Sequence, residues 1–235
     1  MSLTWKQSFR NFETYLRLEK SLSDNSIEAY TSDILKLEKY FIDNGKDISP
    51  SGVLYADLKD FLAWYGENNT NTRTQSRVLS GIRAFFRFLL IEGEIEENPA
   101  SLIESPKIGL KLPEVLSIKE IDMIVDAIDL SKPEGHRNKA IIETLYGCGL
   151  RVSELVNLRL TDIHIAEEFV IVTGKGNKQR LVPISGKALK EIGIYKQDRN
   201  RLPVIRDQNV LFLNRRGSHL TRAMIFTIIK DLAAK

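Results

Sequence analysis

The sequence predicts a mainly α fold in two parts: a four-helix N-terminal domain, then a mixed, mostly helical domain with a small antiparallel β-sheet. Three observations predict it. Apolar residues recur at helical spacing through nearly all of the first hundred positions. The stretch Pro106-Lys-Ile-Gly-Leu-Lys-Leu-Pro113 has neither a helical nor a strand period, and two prolines and a glycine in so short a run make an extended, semi-rigid connector. Beyond it helical patterns resume, interrupted by two β-rich runs around a polar, glycine-containing segment. The expected organisation is a helical domain over 1–105, a linker over 106–113 and a second domain over 114–235.

Each element has its own signal. Phe9, Phe12, Leu16 and Leu18 mark a first helix. Asn25 or Ser26 caps a second, with Ile27, Tyr30, Ile34, Leu37, Tyr40 and Phe41 on its stripe and Asn44-Gly45 as its stop. A third helix runs from Tyr55 to about Tyr65, and a fourth from Thr72 to Ile91, ended by Glu92-Gly93. Four helices with short connections form a bundle. After the linker, Ser117 caps a helix reaching Ile128, with Glu120 at the capping-box position. The next helix spans Lys139 to Tyr146 and is broken by Gly147 and Gly149; another opens at Arg151 with Val152, Leu155 and Val156 on one face. Phe169–Val172 and Leu181–Ile184 read as strands joined by a hairpin turn over 174–179, and Pro183 makes the second an edge strand. The rest is expected to be helical, with the pattern still running at Lys235.

Composition excludes several function classes. The chain has 235 residues, 43% of them apolar and 28% charged, the balance of a globular protein rather than a disordered tail. One cysteine, Cys148, allows neither an intrachain disulfide nor a cysteine zinc site, and three scattered histidines suggest no metal site. The first twenty residues lack the apolar core of a signal peptide, and no apolar run is long enough to span a membrane. A soluble, cytoplasmic protein without membrane insertion is expected. The net charge of +3 conceals an asymmetry: residues 1–105 hold 12 basic and 16 acidic residues, whereas residues 106–235 hold 22 and 15. A basic second half suits a polyanionic partner, or is merely a solvated basic surface.

Three clusters could carry chemistry. Arg73, Arg77, Arg83 and Arg87 are the only charges of the fourth helix, and at about 100° per residue they share an arc of roughly 120°. Val78, Ile82, Phe85, Phe86 and Leu89 lie opposite. Four like charges on one face repel one another, which a phosphate backbone would relieve; acids on neighbouring helices could do the same. In Gly147-Cys-Gly-Leu-Arg-Val-Ser-Glu-Leu155, glycines before a helix start let backbone N–H groups approach an anion beside Arg151. A guanidinium there can clamp two phosphoryl oxygens, with Glu154 orienting or pairing with it; a purely structural ion pair is the alternative. Lys175, glycine-flanked at the hairpin tip, is either a solvated turn residue or a mobile proton donor.

The run Leu145-Tyr-Gly-Cys-Gly-Leu-Arg-Val-Ser-Glu-Leu155, followed by Gly174-Lys-Gly-Asn-Lys-Gln-Arg-Leu-Val-Pro-Ile184, closely resembles the tyrosine recombinase (phage integrase) family in its XerC/XerD branch. Leu79-Ser-Gly-Ile-Arg-Ala-Phe-Phe86 and Asn98-Pro-Ala100…Ser105-Pro-Lys107 look like that branch's SAM-like core-binding domain and linker. The resemblance implies a site-specific recombinase that cuts and rejoins duplex DNA through a 3′-phosphotyrosine, with neither ATP nor a metal and no other cofactor. It makes Arg151 the first catalytic arginine and Lys175 the donor of a proton to the leaving 5′-oxygen. DNA contacts are expected from Arg73, Arg77, Arg83, Arg87, Lys178, Arg180 and Arg222. The partners it implies are double-stranded DNA and a second recombinase copy or paralogue, as a tetramer on two DNA sites, in chromosome partition and the cell cycle or in DNA integration.

The sequence departs from the family pattern at its end. The family's His-x-x-Arg motif, a further His or Trp, and the nucleophilic tyrosine normally lie beyond this point, so the chain is expected to be a C-terminally truncated recombinase with a catalytically incomplete site. His219-Leu-Thr-Arg222 spells His-x-x-Arg, but the resemblance places it at the start of a DNA-contacting helix. Tyr195, the only tyrosine after Arg151, does not match the nucleophile. An inactive DNA-binding fragment or regulator occupying a recombination site is the alternative.

Overall fold

The computed structural model describes residues 3–68, 71–107, 109 and 112–235, with the side chain of Lys175 outside that set. Of the expected linker, Ile108, Leu110 and Lys111 lie outside the described residues. The chain divides into two compact units, residues 1–112 and 113–235.

The first unit is a bundle of four helices: α1 (Trp5–Leu18), α2 (Asp24–Asp43), α3 (Tyr55–Glu67) and α4 (Thr72–Ile91). A capping box between Thr4 and Gln7 starts α1. Helix α2 begins earlier than Asn25 or Ser26 would allow, because Ser23 holds the extended backbone of an N-cap and Ser26 lies inside the helix. Asn44 and a left-handed Gly45 end α2, and Glu92 with a left-handed Gly93 ends α4. Helix α4 packs against α1, α2 and α3. Its Phe85 meets the rings of Trp5, Phe9, Phe12 and Phe86. Phe12, Phe61, Phe85 and Phe86 are fully buried, each contributing about 1.5–3 kcal/mol by leaving water. Leu18, expected on the apolar stripe of α1, is instead exposed, since two residues on from buried Leu16 it falls on the opposite side of the helix.

The second unit holds α5 (Ile118–Asp126), α6 (Gly135–Cys148), α7 (Val152–Val156), β1 (Ile163–His164), β2 (Phe169–Thr173), β3 (Gln179–Pro183), α8 (Gly186–Asn200) and α9 (Arg222–Ala233). The Ser117–Glu120 capping box starts α5, which ends before Ile128. Helix α6 starts four residues before Lys139 and runs through Gly147; only Gly149, left-handed at φ +57, breaks it. Gly147 serves a different purpose. A Cβ there would sit 3.1 Å from Ser185 Oγ, so the glycine lets α6 lie close against the start of α8.

The three strands are antiparallel in the order β1-β2-β3. Strand β1, only two residues long, gave no sequence pattern of its own. Strand β3 is an edge, as Pro183 requires. Val170 and Val172 of β2 face the core, and the register pairs them with Val182 and Arg180. That register turns Arg180 inward and Leu181 out to solvent.

The segment between α8 and α9 is not helical, contrary to the expectation. Isolated bridges join Arg159 to Val210 and Leu213 to His219. Arg199, buried near the end of α8, donates to the carbonyls of Asp207, Gln208, Val210 and Leu211. A guanidinium with five donors satisfies backbone acceptors that would otherwise be stranded.

Candidate DNA interface and phosphoryl-transfer site

The second unit's site is built on one buried carboxylate. Gly149 ends α6, and Arg151, in extended conformation, becomes the N-cap of α7. Glu154 Oε2 accepts the backbone N–H of Arg151 at 2.8 Å, and its Oε1 accepts Arg151 Nη1 at 2.9 Å. From the sheet, Arg180 adds a bidentate pair, Nη1 to Oε1 at 2.7 Å and Nη2 to Oε2 at 2.9 Å. The Glu154 side chain is 2% exposed, against 39% for Arg180 and 73% for Arg151. The hydrogen bonds from Arg180, joined by those of Arg151, overcome desolvation and hold the Glu154 carboxyl at a pKa of about 2.

One carboxylate between two guanidiniums leaves a net positive charge, and Arg151 carries it to solvent. One of the backbone N–H groups expected to face an anion at this helix start is already engaged. Helix α7 has five residues, and the N–H of Arg151 is already taken by Glu154. The group left open to solvent here is the Arg151 guanidinium.

Gly174 closes the base of the hairpin on this cluster: a Cβ there would lie 3.4 Å from Arg180 Nη1 and 3.5 Å from Glu154 Oε1. Its N–H donates to Lys178 O at 2.8 Å. The turn is one 3-10 turn, Lys175–Asn177, with Gly176 and Asn177 left-handed. The expected proton donor, the Lys175 side chain, lies outside the described residues. Lys178 is exposed at the end of the turn, and Arg222 is exposed at the first position of α9, beside the Thr221 cap.

The arginines of α4 divide into two kinds. Arg73 and Arg87 are exposed and have no ion pair among the described residues. Arg77, by contrast, pairs with buried Asp33 at 2.5 Å. Arg83 is half-buried and donates to Ser105 Oγ at 2.9 Å and to the carbonyl of Ile103. The alternative of an acid on a neighbouring helix therefore holds at Arg77. Asp33 was missed by sequence reasoning. Its signal was present, a carboxylate beside the apolar stripe formed by Ile27, Ile34, Leu37 and Phe41.

His219 is held by Asp207, which accepts its backbone N–H at 2.6 Å and contacts its Nδ1 at 2.8 Å. Tyr195 is buried in the core, stacked on Phe212, and its hydroxyl accepts Leu213 N–H at 3.0 Å. Burial raises its pKa, so this phenol is neither reachable nor readily ionised. Tyr195→Phe is expected to leave any tyrosyl–DNA adduct of the protein intact on a denaturing gel. Its effect belongs to stability, a loss of about 1–3 kcal/mol in a denaturant titration, because the buried Leu213 N–H loses its acceptor.

A helical bundle ahead of a mixed, mostly helical domain with a small antiparallel sheet is a fold shared with solved recombinase structures. The chain belongs to the phage integrase family. The family model, "Phage integrase family", matches residues 114–235, and "Phage integrase, N-terminal SAM-like domain" matches residues 9–93. The chain is 37% identical over 219 residues to tyrosine recombinase XerD of Pseudomonas aeruginosa, covering 93% of this chain and 73% of the relative. It is 35% identical over 227 residues to tyrosine recombinase XerC of Bacillus licheniformis, covering 95% and 74%. Two solved structures share its fold. A lambda integrase dimer bound to a COC′ core site aligns with a TM-score of 0.75 at 16% identity, over 99% of this chain and 63% of that one. XerH recombinase bound to palindromic difH substrate aligns with a TM-score of 0.71 at 20% identity, over 97% and 68%. No helix among the described residues is long and apolar enough to cross a membrane.

Proposed function

We propose that the chain grips duplex DNA with both units and supplies part of the phosphoryl-transfer site of a site-specific recombinase. The observation that carries this reading is Arg151, tied twice to buried Glu154 yet with its side chain largely in solvent. Such a guanidinium is oriented before a phosphate arrives, and its unused donors match two non-bridging oxygens. In this reading a tyrosine hydroxyl other than that of Tyr195 attacks the phosphorus. The bond from phosphorus to the 5′-oxygen breaks, and Lys175 gives that oxygen its proton. Arg180 holds Glu154 with two of its five N–H donors. Residues 1–105 act as the core-binding domain, 106–113 as the linker and 114–235 as catalytic-domain sequence. Arg73, Arg77, Arg83, Arg87, Lys178, Arg180 and Arg222 contact backbone phosphates. The assembly is a tetramer with a second copy or a paralogue on two DNA sites, working in the cytoplasm.

Arg87 gives the cleanest test of the DNA face. Arg87→Ala is expected to weaken duplex binding and to flatten the log–log salt dependence by about 0.9, one phosphate contact's worth, with stability unchanged to within about 0.5 kcal/mol. Arg83→Ala is expected to show the same change in slope plus a stability loss of about 1 kcal/mol from its bonds to Ile103 and Ser105. Affinity titrations over a salt series, paired with thermal unfolding, separate the two effects. Unchanged affinity and slope in both variants would remove α4 from the interface.

A further inference from the structure

We infer that Asp33 is a positioning residue that locks Lys36 of α2 and Arg77 of α4 into a single phosphate clamp. The inference rests on the DNA-binding reading of α4 given above. The Asp33 side chain is 2% exposed and lies between the two helices, with one oxygen for each cation: Lys36 Nζ to Oδ1 at 2.8 Å and Arg77 Nη1 to Oδ2 at 2.5 Å. The cations themselves reach water, Lys36 at 35% and Arg77 at 47% side-chain exposure. The negative charge is thus at the back of the cluster and two positive charges are at the front.

Close approach of the helices makes this arrangement rigid. A Cβ on Gly81 would sit 3.0 Å from Asp33 Cβ and 3.1 Å from its Oδ2, so the glycine is what lets the α4 backbone abut the carboxylate. A buried ion pair adds little net stability over apolar packing, so stability alone is a poor reason for this triad. Orientation is a better one. The Lys36 ammonium uses one of its three protons on Asp33 and Arg77 one of its five, which leaves donors on both for a shared phosphate. The cluster keeps a net charge of +1, and a bound phosphate neutralises it.

The sign of one substitution tests this. Asp33→Asn is isosteric and raises the protein's charge by one, so charge counting alone requires tighter DNA binding and a steeper salt dependence. If Asp33 positions the cations, the variant instead binds a short random-sequence duplex more weakly, with a log–log salt slope shallower by about 0.9. Fluorescence anisotropy over a salt series, with helix content checked by circular dichroism, reads both quantities. Lys36→Ala and Arg77→Ala are each expected to lose about 0.9 in slope, and the double variant about 0.9 rather than about 1.8, because one phosphate serves both. Arg87→Ala reports on the DNA face separately. If it weakens binding while Asp33→Asn tightens it, the clamp is overturned and the DNA face stands. If none of the variants changes binding, both fall. Should Asp33→Asn not fold, the double variant decides: additive losses, or no loss from Lys36→Ala, overturn the clamp.

Discussion

In a recombinase in which residues 1–235 act with a nucleophilic tyrosine, Arg151→Ala is expected to slow DNA cleavage by about 10²–10³-fold, the loss typical of one preorganised donor to a developing oxyanion. A substrate whose 5′-bridging oxygen is replaced by sulfur is expected to leave that defect in place. The non-bridging oxygens gain charge as the tyrosine attacks, whatever the leaving group. Lys175→Ala is expected to slow cleavage by about 10²–10⁴-fold, as loss of a general acid does. Here the sulfur substrate restores the rate, because a thiolate departs without a proton. Equal rescue of both variants, or of neither, would reverse or abolish the assigned roles. Arg151→Lys is expected to behave like the alanine variant. A single ammonium cannot reproduce the fork that meets Glu154 on one side and a phosphoryl group on the other.

Arg180→Ala is expected to lower folding stability at neutral pH, because buried Glu154 loses its bidentate partner while Arg151 keeps its two bonds to the carboxylate. The cost has a defined pH window. Glu154 sits at about 2 in the folded protein against 4.5 for an ordinary glutamate. Its pairing therefore stabilises the fold fully above about 4.5 and is lost as pH falls toward 2. In Arg180→Ala the folded pKa moves back up, so wild type and variant converge in stability across that window. Denaturant titrations at neutral pH and at a pH between those limits measure the convergence. A difference independent of pH would mean that Arg180 matters for packing rather than for the charge of Glu154.

How far the site was legible follows from distance along the chain. Glu154 lies three residues from Arg151, one helical turn, so an orienting contact could be read from spacing alone. Arg180 lies 26 residues away. Its place beside Glu154 depends on the β2–β3 register, where Val172 opposes Arg180, and a slip of one residue would have put Leu181 there instead. The same limit explains Asp33. It is separated from Arg77 by 44 residues, and only the packing of α2 on α4 at Gly81 makes them partners. Tyr195 shows the converse. Sequence position ruled it out as the nucleophile, and its burial against Phe212 supplies the physical reason.

Local signals, then, determined the four helices of the first unit, the Ser117 cap, the glycine-bearing hairpin and the edge character of Pro183, together with the arginine and lysine motifs that resemble the recombinases. These depend on backbone torsions, caps and periodicity within a few residues, where the sequence acts directly on the chain. Tertiary structure alone decided which arginines are free and which are tethered, that one buried carboxylate serves Arg151 and Arg180, and that the chain between α8 and α9 is held by Arg199 rather than by a helix. Those outcomes depend on burial. A charge withdrawn from water must find its partner wherever the fold brings one within hydrogen-bonding distance, and separation in sequence places no bound on that choice.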